Sequence, residues 1–311
     1  MLIATSDAVY ELEKAGGTPG KRFEAPGIRR VAEGRHRALV ALEDGRLALL
    51  KGGRPRYLEP DLGEGVEVTA LLILAEDPLE VLLGTEPPHV YRLTVERGAE
   101  RCGVFDALHV RSGWHTPWGG PPAVRSLAGT PDGTVYADIH VGSIMVSADR
   151  GTTWAPVTPD LNEDVHQVAT CPAAPDRVYA NTARAVHVSD DRGKTWQDRG
   201  GKLGRRYGRA IAVHPARPAV LLASTSDGPH GDNVHGGLFG TTNAGKTWSQ
   251  VTDGFPAATR ENIDTFHVAV TADGTGWASV GEALYTGQAA SGPWRKAWEA
   301  PDAIRMLSVA P

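Results

Sequence analysis

Along the whole chain apolar and polar positions alternate in short runs, and each run ends in a cluster of Gly, Pro, Asp or Asn. Period-two alternation broken by such turn residues predicts antiparallel strands joined by hairpins. Residues 124–154 show the unit clearly: an apolar strand at Val124–Ala128, a turn at Pro131–Gly133, a strand at Val135–Asp138, and a third at Ile144–Ser147. The same order of pieces is traced at Ile28–Glu59, Val66–Leu108 and Ile263–Glu299. The chain ends complement each other. Ile304–Val309 reads as an innermost strand with nothing after it, and Leu2–Leu12 as a unit lacking its innermost strand.

Joined, the two ends make one further sheet, and the pattern predicts an all-β, seven-bladed β-propeller closed non-covalently by its terminal strands. Six blades is the alternative count. Seven blades in 311 residues average about 44 residues each, a usual blade length. The expected organisation is one propeller domain over 1–311, with approximate blades at 304–311 plus 1–25, 28–59, 66–108, 124–158, 165–200, 208–252 and 263–299. Composition agrees. The 37 glycines and 22 prolines disfavour long helices, since an interior Gly costs roughly 1 kcal/mol and a Pro about 3 against Ala. With 41% hydrophobic and 22% charged residues, the chain is neither disordered nor fibrous.

Charge and cysteine usage remove several functions. A formal net charge of -5 argues against a general affinity for nucleic acid. Cys102 and Cys171 form neither a disulfide framework nor a four-thiolate zinc site, and are expected as free buried thiols. The N-terminus has no basic region ahead of an apolar stretch, and the longest apolar run, Ala70–Ala75, ends at Glu76. No signal peptide or transmembrane segment is read, and a cytoplasmic location without a membrane partner is expected.

Three segments repeat closely: Ser147–Trp154, Ser189–Trp196 and Thr241–Trp248, each of the form Ser/Thr-x-Asp/Asn-x-Gly-Lys/Thr-Thr-Trp. Asp149, Asp191 and Asn243 supply side chains that accept hydrogen bonds from the turn's amides. Gly151, Gly193 and Gly245 supply the positive φ, and Trp154, Trp196 and Trp248 a large ring to bury. The segments resemble the Asp-box, or bacterial neuraminidase repeat, found in sialidases, xyloglucanases, sortilin-type receptors and photosystem II assembly factors. The resemblance implies a propeller whose boxes are structural and lie opposite the ligand face. A glycosidase-like hydrolase or lyase is among the activities it implies. An ordinary sialidase is not expected, because Ile28–Val31 lacks the proline of that family's Arg-Ile-Pro motif.

The ligand face is where the innermost strands begin. Aligned by their alternation, the seven innermost strands carry Arg29, Thr69, Arg125, His166, Arg209, His267 and Arg305 at their second position. No packing rule asks for a cation there. Arginine's planar fork suits carboxylate or phosphate, so the ring is read as an anion site. The competing reading pairs each cation with an acid on an adjacent loop, such as Glu261, Asp264, Glu282 or Asp302.

Flanking loops add Trp114, His115 and Trp118, which stack on a ring or plug the channel, and Tyr207 beside Arg205 and Arg206. His140, His166, His267 and Glu282 are the catalytic candidates, without an assigned pair. The loop with His230, Asp232 and His235, joined by His140, is the candidate divalent metal site, suited to zinc, manganese or iron. No other cofactor is expected. Three functions follow: binding an anionic small molecule or acidic glycan; hydrolysis or lysis of an acidic sugar or small carboxylate, with metal assistance as an option; and scaffolding of an acidic protein segment.

Overall fold

The computed structural model describes residues 1–14, 16–201, 203–290 and 292–310. Seven four-stranded antiparallel sheets are arranged as a β-propeller. The first blade is assembled from both ends of the chain. Met306–Ser308 is its innermost strand, followed outward by Leu2–Ala4, Ala8–Glu11 and Gly20–Glu24. Leu2, Ile3 and Ala4 pair with Ser308, Leu307 and Met306. The terminal ammonium of Met1 adds an ion pair to Glu33 at 3.2 Å.

The remaining innermost strands are Ile28–Glu33, Glu67–Glu76, Val124–Gly129, Val165–Thr170, Tyr207–Val213 and Val268–Val270. Among the described residues, helix is confined to two short pieces in the linker between the third and fourth blades, at Gly103–Asp106 and His109–Gly113. Among the described residues, no helix is long and apolar enough to cross a membrane.

Apolar side chains on facing sheets fill the spaces between blades. Leu39 and Leu47 of the second blade meet Val81 and Leu83 of the third, and Tyr136 and Ile144 of the fourth meet Val165 and Val178 of the fifth. Burying each such side chain contributes roughly 1.5–3 kcal/mol, so blade-to-blade contact is the main cohesive term.

The three box turns take the expected form. Asp149 Oδ1 accepts the amides of Thr152 and Thr153 at 3.1 and 2.8 Å, and its Oδ2 accepts the Thr153 hydroxyl at 2.6 Å. Asp191 and Asn243 accept the amides of Thr195 and Thr247 at 2.8 and 2.9 Å. The glycines stand at φ of 85°, 86° and 78°. The box tryptophans pack backward onto the preceding blade. Trp196 joins the fourth-blade cluster around Tyr136 and Ile144, and Trp248 Nε1 donates to the Arg199 carbonyl of the fifth blade at 2.8 Å. Because strands alternate in direction, these turns lie on the face opposite to where the innermost strands begin.

A second repeated device lies at the other face. In five blades the ladder between the first and second strands skips a residue, at Arg29, Thr69, Arg125, His166 and the Arg209–Ala210 pair. Such bulges re-aim a side chain and twist the strand. Here the aim is the next blade. Thr69 Oγ1 donates to the Val124 carbonyl at 2.7 Å, Arg125 Nη1 to Val165 at 3.2 Å and His166 Nδ1 to Gly208 at 2.5 Å, while in the second blade Arg30, next to the bulged Arg29, donates through Nε to the Thr69 carbonyl at 2.6 Å. The fold therefore does ask for a polar donor at this place, contrary to the expectation from alternation alone. It does not ask for a cation, as Thr69 shows.

Candidate functional site

Beyond the bulges, a segment ahead of the seventh blade's innermost strand crosses the central channel. Thr265 Oγ1 donates to the His166 carbonyl at 3.0 Å, the Phe266 amide to Gln167 Oε1 at 3.2 Å, and the Phe266 carbonyl accepts the Leu307 amide at 2.8 Å. Phe266 holds φ of 67°, unusual for a bulky residue, and its three-sided anchorage sustains that strain. The crossing divides the channel. On the box side lies a space of about 530 Å³ walled by Val31, Leu71–Leu74 and Met306. On the other side lies a pocket of about 250 Å³ lined by Arg30, Arg125, Arg209, Arg305, Asp264, Thr265, Phe266 and His267.

Four arginines thus come from four different blades to one small pocket with one carboxylate in its lining. Arg125 faces Asp164 at 3.6 Å and Arg209 faces Asp264 at 3.4 Å. The Arg30 guanidinium lies 5.7 Å from the Phe266 ring centroid. Burial, with the neighbouring charge of Arg29, brings the Arg30 pKa down to about 10, so it remains charged at neutral pH. Crowding of like charges at this density is offset only by an opposite charge.

Beside the pocket a hydrogen-bonded group joins Tyr207, His166 and Asp164. The fully buried His166 gives its Nδ1 proton to the Gly208 carbonyl, which can only accept. Burial lowers its pKa, so the ring is neutral and Nε2 carries a lone pair. Tyr207 OH, 3.1 Å away, is then the donor to Nε2. Asp164 Oδ1 lies 3.3 Å from the same nitrogen and has no hydrogen-bond donor among the described residues. Beneath Arg125, Asp138 accepts the Ser126 amide and hydroxyl, both at 2.5 Å. Its complete burial raises the pKa to about 7.

The structure brings Arg125, Arg209, His267 and Arg305 into the pocket lining, with His166 and Tyr207 beside it. His267 is held to Ser279 Oγ at 3.1 Å, and burial lowers its pKa. Arg29 is placed elsewhere, its Nη1 on Glu67 at 2.6 Å, and Arg30 occupies the pocket instead. Arg29 sits at its bulge as Arg125 does at the next but one, yet Glu67 holds its guanidinium away, and Arg30, one residue on in the ladder, reaches the pocket.

Trp114 is buried against Phe105 and under Arg111, 4.8 Å from its guanidinium. It anchors the linker and neither plugs the channel nor presents a face to solvent. Trp118, 66% exposed, leans on His140 with ring centroids 4.7 Å apart. Burial, then Arg125, lowers the His140 pKa to about 3. His115 is exposed and bonded to the Gly113 carbonyl at 3.0 Å. Glu282 is exposed in a hairpin turn.

His230 and Asp232 are exposed, and His235 turns to Asp227 at 2.7 Å. Among the described residues, no three His, Cys, Asp or Glu side chains gather where they would hold a metal ion.

Comparison with known proteins agrees with this architecture. The Sortilin-Vps10 family model, described as sortilin, neurotensin receptor 3, matches residues 142–275. The chain is 27% identical over 224 residues to a probable oligoxyloglucan-reducing end-specific xyloglucanase of Neosartorya fischeri, an alignment covering 65% of this chain and 26% of that protein. The chain spans only 13–26% of the length of the curated relatives it matches. An ancestral GH74 enzyme superposes over 89% of this chain and 39% of its own, with a TM-score of 0.68 and 16% identity. YCF48 bound to D1 peptide superposes over 87% of this chain and 83% of its own, with a TM-score of 0.57 and 15% identity. With the three box turns, these matches are consistent with the Asp-box propeller superfamily.

Proposed function

We propose that the chain is an anion-binding propeller that holds a carboxylate, acidic sugar or phosphate group at the mouth of its channel. The supporting observation is the meeting of Arg30, Arg125, Arg209 and Arg305 in one 250 Å³ pocket whose lining contains one carboxylate, Asp264. Thr69 does the blade-joining work of this position without charge, so fold cohesion alone leaves the excess of guanidinium unexplained. Isothermal titration of glucuronate, galacturonate and inorganic phosphate against glucose tests the reading. Arg125→Gln and Arg209→Gln are each expected to weaken anion binding about tenfold, the scale of a hydrogen bond to a charged group. Equal binding of the anions and glucose would overturn it.

A second reading is favoured by the likeness to proteins named as xyloglucanases. In it the same mouth cleaves an acidic glycan, with the Tyr207–His166 pair and Asp164 as the reacting groups. Release of reducing sugar from xyloglucan and from polygalacturonate is the test. Asp164→Asn should abolish any release while leaving anion binding in place.

A further inference from the structure

The four pocket arginines differ in what already balances them. Arg125 and Arg209 each face a carboxylate, Asp164 and Asp264 respectively. Arg30 spends its Nε and Nη1 on the carbonyls of Thr69 and Arg29, at 2.6 and 2.7 Å. Neither Arg30 nor Arg305 has a carboxylate in ion-pair contact among the described residues. These two stand on neighbouring blades, on the strand Ile28–Glu33 and immediately before Met306–Ser308. Arg305 is exposed to the mouth. Four guanidinium groups against two carboxylates in ion-pair contact leave two positive charges, on the half-buried Arg30 and the exposed Arg305, and like charges held this close are unfavourable until an anion meets them.

Resting on the anion-site reading above, we propose that the pocket takes a compact ligand bearing two separate carboxylates. One carboxylate sits on Arg30, through its uncommitted Nη2, and the other on the planar fork of Arg305, each arginine taking one charge of its own. Arg125 and Arg209, already facing Asp164 and Asp264, form the opposite wall. A phosphate concentrates its two charges on one centre and would not give each of the two arginines its own partner. The 250 Å³ volume restricts the skeleton to a short one. The same chemistry is offered by a small dicarboxylic acid and by the acidic C-terminal residue of a peptide, whose side chain and terminus are both carboxylates.

The test is titration of the full chain, at low salt, with succinate, butyrate, inorganic phosphate, and a Glu-ended peptide with a free or an amidated terminus. Succinate is expected to bind at least about tenfold more tightly than butyrate. In the Arg30→Gln, Arg305→Gln double variant that ratio should collapse toward one, with an unchanged melting profile as the folding control. A free-terminus peptide matching succinate, with the amidated form weaker, supports a macromolecular source of the same two groups. If butyrate matches succinate, the two-carboxylate inference falls and the anion site stands. Tighter phosphate binding overturns it in favour of a single dianionic centre. If no anion binds, both fall together. The comparison of ligands on the unaltered protein decides the matter even if the double variant fails to fold.

Discussion

Asp138 is a carboxyl group placed where charge is unwelcome. Burial raises its folded pKa to about 7 from an ordinary 3.8. The unfolded chain sheds this proton near 3.8 and the folded chain near 7, so folding takes up a proton throughout that window. Its contribution to stability therefore falls as pH rises from about 4 to 7 and stays at its least favourable above that. Asp138→Asn keeps an acceptor for Ser126 and has no charge to acquire. Urea unfolding at pH 5 and pH 8 should show a smaller difference for the variant than for the parent.

The box residues have the opposite sign. Hydrogen bonds from the Thr153 hydroxyl and amide, and those from Thr195, hold Asp149 and Asp191 down to about 2. The stability they add is complete above the unfolded value near 3.8 and is lost as pH falls through about 2. Asn243 makes the same turn without a charge, so Asp149→Asn is expected to fold normally and to lose less stability on acidification. Asp149→Ala should cost about 1 kcal/mol at pH 7 through its unpaired turn amides, measured by thermal melting.

At the scale of elements, the bulges in five of the seven innermost strands set the blade junctions and place Arg125 and Arg209 at the site. Gly208 shows how tightly the sixth blade's bulge is built: a Cβ there would stand 1.8 Å from Asn181 Oδ1. Gly208→Ala must push Asn181 or its own strand aside, at a cost of about 1–3 kcal/mol, and displace the neighbouring Arg209. Anion affinity, read by titration, is expected to fall in this variant even though no arginine is removed. The bulges also show where the sequence stops being readable. Strands, turns and boxes are written in local alternation and in side chains that bond within their own turn. Alternation points to Arg29, the residue at the bulge, but Glu67 on the next blade takes its guanidinium and leaves the pocket to Arg30, a contact between blades that local pattern does not carry. Trp114 is a similar case. Its burial depends on Phe105 and Arg111, a packing that a Gly- and Pro-rich loop does not announce. Asp164 was illegible because its role arises from Arg125 and Tyr207 on adjoining blades.

For the molecule as a whole, closure rests on three paired residues at each chain end, with the Met1–Glu33 ion pair and the Ser6–Asp302 hydrogen bond at 2.5 Å beside them. Every blade is held by two neighbours, so opening the ring exposes two interfaces at once. Removing residues 304–311 is expected to weaken the entire fold and not the first blade alone. Circular dichroism melts should then show one broad transition at lower temperature, and size-exclusion chromatography an expanded or associated species. A sharp transition near the parent temperature would contradict this view of closure.

The turn that crosses the channel at Thr265 and Phe266 has a further effect. It turns what would be a tunnel into a cup with one doorway. Whatever enters must leave by the way it came. A large partner seated over that face would hold a small occupant captive, and the occupant's escape would time the partner's departure.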